Sequence, residues 1–188
     1  MALTRLGLNQ SINLATNTTG TLAVGNGGTG LSSGFINGTT NVGKVLQVVQ
    51  GTLAGVVSTT SGSWSDTGLS ASITPSLTSS KILVSVTLNS CYQNTANKGA
   101  YTTLYRDIGG GGYSNIAPTG SSAFYKYFGT SYSAGSGQTQ NHNWEILDTV
   151  STTSAVTYKV YFEVDTSSTL NVNQNGTTSY IVLTEIGA

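Results

Sequence analysis

Charge is what this chain has least of. Only 7% of its 188 residues are Asp, Glu, Lys or Arg, against roughly 25% in an average soluble domain. The seven basic and seven acidic residues cancel to a formal net charge of zero. The basic residues, Arg5, Lys44, Lys81, Lys98, Arg106, Lys126 and Lys159, are scattered along the sequence. Nucleic-acid binding needs clustered Lys and Arg, so no nucleic-acid partner is expected. Long apolar runs are also missing. The longest candidates, Ile82-Leu83-Val84 and Ile181-Val182-Leu183, are strand-sized and fall far short of the ~20 residues of a membrane helix, so no membrane insertion is expected. Cysteine occurs once, at Cys91, which excludes a disulfide within the chain. Histidine also occurs once, at His142. A metal site draws on several His, Cys or carboxylate ligands, so neither a metal nor a cofactor is predicted.

What fills the space left by charge is hydroxyl and amide. The chain has 25 Ser, 30 Thr, 15 Asn and 24 Gly. Ser, Thr and Asn compete for backbone hydrogen bonds, and each helical Gly costs about 1 kcal/mol relative to Ala, so helix is disfavoured. Strands joined by tight turns are favoured instead. The 10 Tyr, 4 Phe and 2 Trp, with many Val and Ile, supply the apolar surface that a disordered chain lacks. The fold class expected is all-β.

Texture divides the chain near residue 43. Residues 1–43 carry small apolar side chains at irregular spacing and one aromatic, Phe35. They read as an extended arm that buries its apolar residues against other chains. Leu3, Leu6, Leu8, Ile12 and Leu14 are the candidate docking residues, with a short amphipathic helix, an extended peptide and disorder all left open. No apolar stretch of signal-peptide length stands at the start, so synthesis and retention in a cytoplasm are expected. Residues 44–188 read as a β-sandwich or jelly-roll head. Lys44–Val49 and Gly55–Thr60 suggest strands about a turn, and Ser63–Ser72 a third. Lys81–Asn89 alternates cleanly. Ala100–Asp107, Ala123–Phe128 and Gln140–Val150 follow. Val156–Asp165 alternates again, with Tyr158, Val160, Phe162 and Val164 on one face and Lys159, Tyr161, Glu163 and Asp165 on the other. Asn175-Gly176 predicts a hairpin turn between Thr169–Val172 and Ser179–Ile186.

The segment Thr21-Leu22-Ala23-Val24-Gly25-Asn26-Gly27-Gly28-Thr29-Gly30 resembles an element of many bacteriophage tail-fibre and virion fibre proteins, which carry proline where Ala23 stands. Leu3–Leu14 resembles the leader before that element, and Gly43–Val48 the segment after it. Ile73-Thr74-Pro75-Ser76, Ser79–Val84 and Leu104-Tyr105-Arg106-Asp107 resemble the heads of marine-phage fibres, which are similar in layout to trimeric jelly rolls. The resemblance implies a structural virion protein made in the host cytoplasm. It would be a short fibre or spike that is a homotrimer, is anchored to other virion proteins through residues 1–43, and touches a host-cell glycan. It implies no catalytic residue. Three alternatives stay open: a capsid decoration or head-fibre protein without a receptor role, a carbohydrate-binding, lectin-like domain, and a depolymerase.

Other constellations fit less well. Gly25–Gly30 is followed by Leu31-Ser32-Ser33 and lacks the Lys-Ser/Thr pair of a phosphate loop. His142 lies between two asparagines and reads as solvent-facing or trimer-facing; Trp144 should share its side of the strand. Glu145 and Asp148 should point to opposite faces. Cys91 reads as a small buried hydrophobe. Tyr113, within Gly109–Asn115, and Tyr132, within Gly129–Gly135, are expected in glycine-rich loops. They are the candidate receptor contacts, because a tyrosine offers contact area and a polar tip at low entropic cost.

Overall fold

A computed structural model describes residues 43–117 and 137–187 in full, and 129–133 as backbone. The arm, with Leu3, Leu6, Leu8, Ile12 and Leu14, and the segment Ala123–Phe128 lie outside the described residues. The strands are β1 Val45–Ala54, β2 Val57–Thr59, β3 Ser65–Ile73, β4 Lys81–Gln93, β5 Lys98–Ile108, β6 Ser114–Asn115, β7 Gly129–Ser133, β8 Gln138–Thr149, β9 Val156–Val164, β10 Leu170–Val172 and β11 Thr178–Ile186. The described residues contain no helix.

The strands pair antiparallel in two sheets. In the first, the order is β8–β4–β11–β1, and β10 and β2 extend β11 and β1 along the same lines. In the second, the order is β3–β9–β5, with β6 and β7 one after the other along the far edge of β5. The chain crosses between the sheets at six of its ten connections, and strands distant in sequence end as neighbours. That is the connectivity of a jelly roll, two Greek keys folded face to face.

Alternation builds the core. In β9, Val156, Tyr158, Val160, Phe162 and Val164 are buried, with half-buried residues between them. In β4, Ile82, Val84, Val86 and Leu88 do the same from the other sheet. Each such side chain contributes about 1.5–3 kcal/mol on burial. A charged cluster crosses the gap. The Arg106 guanidinium on β5 donates to both carboxylate oxygens of Asp148 on β8, at 2.7 and 2.8 Å, and the Tyr158 hydroxyl on β9 donates to the same carboxylate at 2.8 Å.

Three expectations need correction. The residues Gly51-Thr52-Leu53-Ala54 are not a turn but the second half of β1. Gly51 is needed there because a Cβ would collide with the carbonyl oxygen of Ser70 on β3. Asn175-Gly176 does not close a hairpin: β10 and β11 both run antiparallel to β4, so they are one strand line broken by a kink. Buried Asn173 (φ 62°) sits at the break. Its amide nitrogen donates to the carbonyls of Leu53 (2.9 Å) and Gly55 (3.0 Å). Its side-chain oxygen accepts from the Ser179 hydroxyl at 2.7 Å, and its backbone N–H donates to Asn89 at 2.9 Å. The kink therefore runs across β1/β2, β10/β11 and β4 at one level. Finally, Tyr132 lies in β7, not in a loop. Strand pairing uses only backbone groups, so the Gly-Thr-Ser-Tyr-Ser sequence can line the edge of β5, with Tyr132 opposite Gly99.

Candidate functional site

Because the core takes every second residue, the remaining residues form two outer faces, and these differ in chemistry. On the first sheet, Val48, Thr184, Leu83 and Leu147 stand side by side across β1, β11, β4 and β8. The rows on either side add Val45 and Ile186, then Val182. Val48 is 59% and Leu147 51% exposed. The charged residues within these rows are Lys81 and Glu145, and the latter accepts a hydrogen bond from the Ser85 hydroxyl at 2.9 Å. An aliphatic stripe running across a whole sheet is the kind of patch that marks an interaction surface.

The outer face of the second sheet is built on tyrosine. Tyr101 and Tyr105 project from β5, and Tyr161 from β9 beside Lys159 and Glu163. The rings of Tyr105 and Tyr161 lie 4.1 Å apart, tilted by 32°. The Lys159 ammonium pairs with Asp66 of β3 at 2.8 Å and stands 4.9 Å above the ring of Tyr113. This cation–π contact draws Tyr113, which is 38% exposed, from the β5–β6 loop onto the tyrosine face. Burial, with the neighbouring Tyr161 adding to it, pushes the Tyr105 hydroxyl up, and burial also raises that of Tyr161, so both phenols stay neutral and able to donate.

Tyr113 and Tyr132 are not neighbours. Both follow the outer edge of β5, but Tyr132 is opposite Gly99, while Tyr113 precedes Ser114, which pairs with Arg106. Seven residues of strand separate those levels, roughly 23 Å. No single sugar spans that gap, although an extended chain does.

The other singled-out residues are structural. His142 does share a side with Trp144, but that side is the core: it is 4% exposed, and its Nδ1 lies 3.0 Å from the Thr102 hydroxyl on β5. The expected solvent-facing or interface histidine is thus a cross-sheet contact, and burial pushes its pKa down to about 4. Cys91 is buried, and burial raises its thiol to about 12, which removes thiolate chemistry. Glu145 and Asp148 face opposite ways, outward and inward, as expected. The sequence reading missed the tyrosine face as a unit. Its signal was the period-two placement of Tyr101, Tyr105 and Tyr161.

No protein-family model matches the chain, and no curated protein matches it either. Eleven chains of solved structures match it. One is from the structure of infectious bursal disease virus Gt strain, with TM-score 0.40 and 15% identity, covering 76% of this chain and 38% of that chain. The chain therefore spans well under half the length of that viral chain.

Proposed function

We propose that this protein is a non-enzymatic structural component of a virus particle. In this reading it is a short fibre or spike whose head assembles as a homotrimer and whose residues 1–43 join it to other virion proteins. The observation that carries the reading is the aliphatic stripe of the first sheet. A face with four apolar or methyl-bearing side chains in register, in a chain with 7% charge, is poorly suited to water. A second copy of the chain is its occupant, because a protein of zero net charge meets copies of itself without long-range repulsion. The tyrosine face of the other sheet is left for contact, and Tyr113 and Tyr132 mark two levels of a surface that meets a host glycan. A jelly roll by itself decides none of this, since the same fold serves capsid proteins, lectins and cupins.

Light scattering on the full chain tests the assembly. The expected mass is that of three copies. A well-folded monomer at micromolar concentration overturns the reading.

A further inference from the structure

At one end of the tyrosine face the surface opens into a cleft of about 260 Å³. Tyr101, Lys98, Glu163, Asp165, Thr166 and Gly62 line it. Its construction can be followed from the backbone. Gly99 precedes Tyr101 by two residues on β5, and a Cβ at Gly99 would run into the Tyr101 side chain. The missing side chain therefore lets the ring lie along its own strand and form a wall. Asp165 is fixed opposite: its Oδ2 accepts from the Gly99 N–H at 2.6 Å, and its own N–H donates to the Gly99 carbonyl at 2.9 Å. Asp165 thus serves mainly to hold the cleft's shape.

Two lining groups differ from Asp165. Among the described residues, neither the Glu163 carboxylate nor the Lys98 ammonium has a hydrogen bond or ion pair. Both are half-buried. Burial, and then the charge of Asp165, raises the Glu163 carboxyl, so an added donor would relieve an unfavourable anion. A cation is drawn to Glu163 but meets Lys98. An anion is drawn to Lys98 but meets two carboxylates. A neutral molecule with adjacent hydroxyls satisfies both, donating to Glu163 and accepting from Lys98. A sugar ring also has an apolar face for Tyr101.

We infer that this cleft binds one neutral sugar ring of a surface glycan, with Glu163 and Lys98 bridged by its hydroxyls and Tyr101 against its ring. The inference rests on the attachment reading above and gives it an address distinct from Tyr113.

The test applies the full chain and its folded Tyr101→Ala, Tyr101→Phe and Glu163→Gln variants to an array of neutral oligosaccharides. Saturation-transfer NMR with the methyl glycosides of galactose, glucose and mannose accompanies it. The full chain is expected to be retained by at least one glycan. Glu163→Gln should weaken that retention roughly tenfold, the effect of one charge-assisted hydrogen bond. Tyr101→Ala should abolish it, and Tyr101→Phe should keep it. Retention that survives both Tyr101→Ala and Glu163→Gln overturns the cleft and leaves glycan attachment standing. No retention of any glycan overturns both. Saturation transfer to lysine amide in place of the sugars overturns the choice of a neutral ligand.

Discussion

The two outer faces of this sandwich belong to one low-charge chain, yet they differ in chemistry. On the first sheet, one outward row across β1, β11, β4 and β8 holds Val48, Thr184, Leu83 and Leu147, with Lys81, Glu145 and Tyr180 in the rows around it. On the second, β5 and β9 hold tyrosine, lysine and glutamate. Aliphatic groups offer nothing to a polar ligand and gain only by leaving water. Tyrosines gain from burial as well, but each keeps a hydroxyl that water or a sugar can satisfy. A chain poor in charge can thus still give its two outer faces different chemistry, an aliphatic row on one and a tyrosine cluster on the other.

The largest expected effect comes from placing charge on the aliphatic face alone. Val48→Lys with Leu147→Lys alters two well-exposed positions, so the circular dichroism of the head should not change. At about 2 kcal/mol for each centrally placed position, assembly should weaken about 1,000-fold, leaving monomers in light scattering. Persistence of the assembled mass would move the interface elsewhere and dissolve the contrast between the faces.

Acid should act on the core that both faces share. Burial lowers the pKa of His142 from its ordinary value of 6.5 to about 4. Between those pH values the unfolded chain binds the proton more readily, so stability rises with pH across that window and is level above it. The loss from pH 6.5 to 4 is about 3 kcal/mol from this one residue. Denaturant titrations at a series of pH values check it, and His142→Gln should flatten the slope above pH 5. Both faces should fail together, since Thr102 and His142 join the two sheets.

The smallest effect tests the tyrosine face. Tyr161→Ser removes the partner of Tyr105 at 4.1 Å and should cost about 1 kcal/mol beyond lost area, seen as a melting temperature lower by a few degrees. Assembly should be untouched. A drop in assembled mass would mean that this face, too, packs against another copy.

Much of the fold was readable because the core imposes a period of two. Lys81–Asn89 and Val156–Asp165 were placed as strands from alternation alone, and each set of inward residues is buried. What could not be read depends on pairing between distant segments. Gly51 resembled a turn because its reason, the carbonyl of Ser70, lies nineteen residues away and in the other sheet. Asn175-Gly176 carried a hairpin signal, but β4 claimed the edges of both flanking strands. His142 looked exposed because asparagines flank it on the outward side, and only the register with Leu88 shows that it points inward. The cleft stayed hidden because its lining gathers from the start of β5, the end of β9, the β9–β10 connection and the stretch before β3.

Strands rich in serine, threonine and glycine have a weakness: displaced by two residues, they present nearly the same faces, so their pairing can slide. Asn173 acts against that as a notch does on a ruler. Its side-chain amide and backbone N–H are both satisfied only where the break in one line, the bend after Ala54 in the next and the level of Asn89 in β4 coincide. Any slippage of the sheet would strand a buried amide without its acceptors, at a cost of about 1–3 kcal/mol. A repetitive, low-charge sequence is in this way held to one alignment by an irregular point in its sheet.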